Sequence, residues 1–272
     1  MIGIDKKINV FFDNQTVKSI ANKLRNAGCI YAEDETQLLI LEAQSLEDLL
    51  KKVQMRLAGL PLEYIIGWAH FCDLRIVVEQ EVFVPRQRTE FLVHQAKTLA
   101  CSGDIVVDLC CGSGAIGAAL AADLGDIFLY CSDIDPIAVQ CARRNITKFG
   151  GHVFEGDLYK ALPQSIKGHI NILVANVPYV PTESIELLPS EARLYEPNVA
   201  LDGGDDGLNI LRRVVDEASY WLSPGGHLLI ETSEMQAPKT FEIFANAGLS
   251  TKVVRDVELD ATVVIGVNPA FN

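Results

Sequence analysis

Asp104-Ile105-Val106-Val107-Asp108-Leu109-Cys110-Cys111-Gly112-Ser113-Gly114-Ala115-Ile116-Gly117 reads as an apolar strand, a glycine turn and the start of a helix. The aliphatic run is short and bounded by turn residues, as suits a strand covered on both faces. Beyond it the period switches between strand and helix. Strands are expected near 104–109, 127–132, 152–155, 170–175 and 226–231, with helices near 89–100, 114–124, 136–148, 207–221 and 237–246. Alternating β and α implies a mostly parallel sheet covered by helices on both faces. The tail differs: Thr251–Glu258 and Ala261–Val267 are two β-rich runs with a tight connection, which predicts an antiparallel pair at the end of the sheet.

The front of the chain is helical. Val17, Ile20, Ala21 and Leu24 recur at helical spacing, and a second helix is expected from about Asp34 to Ala43. Ser45 with Asp48 makes a variant capping box, after which Leu46, Leu49, Leu50, Val53 and Leu57 share one face. Residues 61–82 read as a connector whose Leu74/Ile76/Val78 alternation suggests a hairpin strand. Thr89 is the expected N-cap of the helix that follows. The chain thus divides into a helical bundle over 1–60, a connector over 61–82 and an α/β domain over 83–272.

Composition narrows the function classes. The chain has 272 residues, 49% of them apolar, enough for a sizeable core and too many for a disordered protein. No apolar run approaches the ~20 residues that span a bilayer, and the first residues show no secretory leader. Seven cysteines match no zinc spacing, so a reducing, cytoplasmic setting and no metal are expected. A net charge of −13 argues against direct binding to a nucleic-acid backbone.

Chemistry concentrates at the predicted carboxyl ends of the strands, where open α/β sheets form clefts. Gly112, Gly114 and Gly117 meet a G-x-G-x-x-G spacing, a weak signal for a dinucleotide. Asp108 points elsewhere, since a carboxylate closing that strand would repel a pyrophosphate and attract the ammonium of S-adenosylmethionine. Asp133 ends the second strand, where an acidic side chain takes two ribose hydroxyls; its plain alternative is a helix cap, a role better suited to Asp135 before Pro136. Gly156-Asp157-Leu158 places a carboxylate and an apolar residue near an adenine, with Asp157 accepting from N6 or serving only as a turn residue. Asn176-Val177-Pro178-Tyr179 follows the apolar run Ile172–Ala175. Pro178 restrains Val177, so the Asn176 side-chain carbonyl and the Val177 backbone carbonyl can converge on one planar NH2 group. The bland reading is an Asn-Pro-type turn.

Together with Pro61-Leu-Glu-Tyr64-Ile-Ile-Gly67, Phe71, Val84-Pro85-Arg86, Thr89-Glu90 and Leu201-Asp-Gly203-Gly204-Asp-Asp206-Gly207, these motifs resemble the protein-(glutamine-N5) methyltransferases. That family methylates the Gly-Gly-Gln glutamine of peptide-chain release factors. The resemblance runs from about Pro61 to the C-terminus. It implies a Rossmann-like class I methyltransferase sheet of seven strands behind a small helical domain, and a class I release factor as partner. It further implies S-adenosyl-L-methionine as cofactor, S-adenosyl-L-homocysteine as product, and Asn176, Val177, Pro178 and Tyr179 as the catalytic motif. Phe71, Asp108, Cys110, Cys111, Gly112, Ser113, Gly114, Asp133, Asp157, Leu158 and Asn176 are the implied cofactor residues. Three departures stand out: Val177 and Gln87 where the family has Pro, and Cys110-Cys111 in the glycine loop. The acceptor at 177 is a backbone carbonyl, so Val preserves the chemistry. Other readings are an adenine-N6 or guanine-N2 methyltransferase, a cofactor-binding protein without turnover, and an NAD-dependent oxidoreductase, which leaves Asn176–Tyr179 unexplained.

Overall fold

Aliphatic runs too short for helices become strands of one sheet. In the computed structural model, which describes residues 13–270, these are β3 (Ile105–Leu109), β4 (Phe128–Asp133), β5 (His152–Glu155), β6 (Ile170–Ala175) and β7 (Leu222–Thr232). β8 (Ser250–Asp256) and β9 (Ala261–Val267) complete a seven-stranded sheet of order β5-β4-β3-β6-β7-β9-β8. The first five strands run parallel, and β9 is antiparallel to both β7 and β8. The methyltransferase sheet is therefore present, antiparallel tail included. β7 begins at Leu222, earlier than its aliphatic run, because Leu222 pairs with Ile170 ahead of a register shift.

The order reverses between β3 and β6, and this switch point positions the site. Leu109 lies opposite Ala175, and Ala175 opposite Ile230. The glycine turn after β3 and Asn176 after β6 consequently leave the sheet side by side, next to Glu231, which is still within β7.

Helices α5 (Glu90–Leu99), α6 (Ala115–Leu124), α7 (Pro136–Ile146), α9 (Asn209–Trp221) and α10 (Ala237–Asn246) alternate with the strands, and a short α8 (Ser190–Tyr195) precedes α9. On one face Val107, Leu109, Leu173 and Leu228 pack with Leu211, Val214 and Trp221 of α9. Asp108 and Cys131, paired in register, point to the opposite face by the two-residue period of a strand. There α6 comes so close that a Cβ on Gly117 would sit 2.9 Å from Cys131 Sγ. Gly117 is thus a packing glycine.

The described residues form two compact units, and Pro189–Tyr195 belongs with the helical one although the residues flanking it belong with the sheet. The helical unit contains α1 (Asn14–Asn26), α2 (Ala32–Glu42), α3 (Leu46–Leu57) and α4 (Leu62–Ile66). Residues 1–12 of the expected bundle lie outside the described residues. Ile20, Leu24, Leu39, Ile40, Leu49, Val53 and Ile65 make its core. Ser45 caps α3 as expected, while Asp48 reaches back to the Gln44 amide rather than to Ser45. The apolar stripe of α3 is wider than its buried face: Leu46, Leu50 and Leu57 are exposed. In the sheet unit, β1 (Trp68–Phe71) and β2 (Leu74–Val77) form the expected hairpin. Cys72 and Asp73 both have positive φ, as a two-residue type I′ turn requires.

Candidate active site

The glycine turn is built on unusual backbone. Cys110, a non-glycine residue, has φ 54°, and Leu158 after β5 has φ 51°. Such conformations cost of order 1–3 kcal/mol and cluster at ligand sites. Here both lie at the carboxyl edge of the sheet. Asp133 ties the turn to the next helix: its Oδ2 accepts from Gly112 N at 2.8 Å and its Oδ1 from Asp135 N at 3.0 Å. Burial pushes its pKa up against those bonds. An ionised carboxylate has about four acceptor positions, so one on each oxygen is left for a ligand. Asp135 itself caps α7 through Ile137 N, which frees Asp133 from that role. Exposed Ile134 beside it offers an apolar surface.

Asp108 does not face the cleft as its sequence position suggested. It is fully buried, and its Oδ2 accepts from Gly117 N at 2.9 Å. The close approach of α6 turns the carboxylate under the loop, where Oδ1 is buried without a partner among the described residues. Burial raises its pKa to about 7, against the Gly117 bond and aided by the Asp133 charge. A carboxyl whose pKa rises on folding holds its proton more tightly in the folded state. It therefore contributes stability below its ordinary value of 3.8, and that contribution is lost as pH climbs through about 7. Ligand-free Asp108→Asn should show a flatter dependence of the urea midpoint between pH 4 and 7 than the parent. Identical slopes would assign the dependence to other groups.

Other expected cofactor positions are rearranged. Phe71 has no exposed surface and serves the core, so it offers nothing to a ligand. Cys111 and Ser113 are turned inward and Gly114 is buried, whereas Cys110 and Gly112 keep surface. Leu158 is buried. Asp157 is held by Arg213, whose Nη2 lies 2.7 Å from both carboxylate oxygens, and by Lys160 at 3.0 Å. The Arg213 and Lys160 bonds hold its pKa below the usual range.

Asn176 emerges at the end of β6, half-buried, between buried Ala175 and Val177. Its Nδ2 donates to Thr89 Oγ1 at 3.3 Å. Thr89 does not cap α5 with its side chain: its backbone is already helical, with φ −68° and ψ −15°, and its hydroxyl meets this amide instead. With the amide nitrogen so occupied, Oδ1 is the acceptor that remains. Buried Pro178 follows, and a tight strap then holds the chain. Val180 N donates to Leu201 O, Gly203 N to Val180 O, and Thr182 N to Gly204 O. Gln236 Nε2 donates to Tyr179 O at 3.0 Å and to Asp206 O at 3.1 Å. A Cβ on Gly207 would strike the Tyr179 carbonyl oxygen and one on Gly203 the Pro178 carbonyl oxygen, so these two glycines let the 201–207 segment back Asn176–Tyr179, while Gly204 makes room for Asn209.

Known proteins resemble this chain in sequence and fold. The family described as "Methyltransferase small domain" matches residues 75–188. The release factor glutamine methyltransferase of Geobacter sulfurreducens is 39% identical over 190 residues, which cover 69% of this chain and 66% of that protein. Its counterpart from Thermodesulfovibrio yellowstonii is 33% identical, covering 75% of each chain. That of Xylella fastidiosa is 34% identical, covering 85% of each. The chain belongs to the release factor glutamine methyltransferase family. Its match spans about two thirds of the Geobacter relative's length and more of the other two. A solved methyltransferase from Pyrococcus furiosus shares the fold with a TM-score of 0.55 at 18% identity, over 72% of this chain and 89% of that one.

In this family member several residues at the site escaped the sequence reading. Thr89 looked like a cap, and nothing in the sequence marked Gln236 or Arg213. Arg88 and Glu231 carried no signal beyond polarity. Arg88 Nη2 donates to the Tyr179 hydroxyl at 2.6 Å, and that hydroxyl donates to Glu231 Oε1 at 3.3 Å. Burial, then the Glu231 charge, pushes the Tyr179 phenol up to about 12, so it keeps its proton at neutral pH.

Proposed function

We propose that this chain transfers a methyl group from S-adenosylmethionine to the side-chain amide nitrogen of a protein glutamine, the Gly-Gly-Gln glutamine of a class I peptide-chain release factor. One observation supports this reading above others: Asn176 gives its NH2 to Thr89 and keeps its carbonyl oxygen, next to Val177, and the chain just beyond is braced at Tyr179 and Val180. Two carbonyl acceptors on a braced turn suit the two N–H groups of a primary amide. The names of the curated relatives point to the same acceptor.

A glutamine amide nitrogen is a poor nucleophile because its lone pair is delocalised into the carbonyl. Asn176 Oδ1 and the Val177 carbonyl would each accept one N–H, fixing the plane and direction of the nitrogen. Preorganised positioning of this kind can supply about 7–11 kcal/mol. The two carbonyl dipoles also favour positive charge building on that nitrogen. The Tyr179 ring would wall the pocket. When bound, S-adenosylmethionine supplies an electrophilic methyl group. The residues present fit it: Asp133 retains two acceptor positions for a ribose diol, and exposed Ile134 offers a face to the adenine. Asp157, with three of about four positions taken by Arg213 and Lys160, retains one for the adenine amine. Cys110 and Gly112 bring backbone close to the methionine end.

Among the described residues no helix is long and apolar enough to cross a membrane, and all seven cysteines are free thiols. Both agree with a proposed site of action in the cytosol. Incubation with release factor and cofactor should add one methyl to the Gly-Gly-Gln peptide in a mass spectrum. An unmodified peptide alongside methylated nucleic acid would sink the reading. Asp133→Ala is expected to weaken S-adenosylmethionine binding by about 1.5–3 kcal/mol, the range for hydrogen bonds to a charged group. Unchanged affinity by calorimetry would remove Asp133 from the site.

A further inference from the structure

We propose that Glu231 is a positioning residue for this methylation, acting through the Tyr179 hydroxyl, with Arg88 as the outer brace, to hold the ring against the glutamine pocket. The inference rests on the reading above and adds to it a residue outside the recognised motifs.

Register places the carboxylate there. Ala175 pairs with Ile230, so Asn176 and Glu231 are the next residues on adjacent parallel strands. Glu231 is 2% exposed, and a carboxylate so buried is costly unless fully paired. Its pairing is incomplete. Tyr179 OH at 3.3 Å and Arg88 Nε at 3.4 Å both approach Oε1, while Oε2 is buried with no partner among the described residues. For the fold alone an apolar residue at 231 would serve better, since replacing buried ion pairs by packed hydrophobics is often neutral or stabilising. What the carboxylate achieves is orientation. The Tyr179 backbone is held at its carbonyl by Gln236, and the hydroxyl at the far end of the ring is held by Arg88 and Glu231. A ring fixed at both ends cannot swing out when a glutamine enters. The contacts of Glu231 lie at the long end of hydrogen-bond distances, and catalytic contacts commonly tighten once the substrate complex forms.

The test uses Glu231→Gln, Tyr179→Phe and the double variant, assayed with release factor and S-adenosylmethionine. Glu231→Gln keeps the shape and removes the charge; Tyr179→Phe keeps the ring and removes the hydroxyl. Each should lower kcat roughly 10- to 100-fold, since a misplacement of about 1 Å costs about 100-fold. The Kd for S-adenosylmethionine should stay within about twofold, a split that general loosening of the fold would not produce. The double variant should be no slower than Tyr179→Phe, because a carboxylate acting only through the hydroxyl has nothing left to act on. Additive losses, or a full kcat in Glu231→Gln, would overturn the proposal. If Glu231→Gln fails to fold, Tyr179→Phe decides alone, and parental kcat there overturns it. A parent protein that leaves the release factor unmethylated defeats the preceding reading. An active parent with an unaffected Glu231→Gln defeats only this one.

Discussion

Asn176→Ala is expected to lower glutamine methylation by roughly 100-fold or more while leaving S-adenosylmethionine affinity nearly intact. The magnitude is that of removing one preorganised polar contact to developing charge. The selectivity follows from the proposed division of roles, in which Asn176 Oδ1 serves the acceptor amide while the glycine turn and Asp133 serve the cofactor. Single-turnover methylation of a release factor, with calorimetry of the cofactor, measures both quantities. Asn176→Asp keeps the shape and an acceptor oxygen. It puts a carboxylate oxygen where the amide met Thr89, a contact that the Thr89 hydroxyl can answer by donating instead. This variant should be impaired yet faster than Ala. Val177→Pro restores the commoner motif and preserves the carbonyl acceptor. The Val177 N–H makes no hydrogen bond among the described residues, so activity should hold or rise modestly. Wild-type turnover by Asn176→Ala would show that amide positioning is not how this protein works.

Arg56→Ala is expected to destabilise the helical unit by about 3–5 kcal/mol, the range for leaving half of a buried ion pair uncompensated. Arg56 is 7% exposed and Glu35 8%. Their contact is a fork, with Nε to Oε2 at 2.6 Å and Nη2 to Oε1 at 3.2 Å. Nη1 also donates to the Leu60 carbonyl and to Glu191, whose side chain is 43% exposed. That last arm is worth little by itself, since solvent screens it. The large term is the Glu35 carboxylate left buried without a countercharge. Replacing both members, as Arg56→Met with Glu35→Leu, should recover most of the loss or exceed the parent stability. Chemical denaturation followed by circular dichroism reads the difference. A loss below about 1 kcal/mol for Arg56→Ala would mean that the pair is not part of what holds the bundle.

Local rules made much of this protein legible. The aliphatic runs at 105–109, 128–133 and 170–175 are strands because they are short, apolar and bounded by turn residues, and these signals act over a few residues. Asp135 before Pro136 was readable as a cap for the same reason, as were Ser45 and the antiparallel tail. Asn176–Tyr179 stood out because proline and the preceding strand constrain the turn wherever it lies in space. Decisions requiring two distant segments were not in reach. Thr89 has the composition of a cap, yet its hydroxyl meets Asn176, 87 positions along the chain. Asp108 ends a strand like a ligand-facing acid, and only the packing of α6 against β3 and β4 turns it inward. Leu46, Leu50 and Leu57 share a stripe with Leu49 and Val53, but the neighbouring helices cover only part of it. Glu231 is the clearest case. In Leu228-Leu-Ile-Glu-Thr232 it looks like the polar end of a strand, and its place beside Asn176 depends on the pairing of Ala175 with Ile230. The sequence by itself determined the elements, the turn chemistry and the Asn176–Tyr179 turn, since these depend on backbone sterics and on burial patterns within one segment. The tertiary structure alone decided which side chains meet at the switch point, because strand register and helix approach are set by burying apolar surface shared among distant segments.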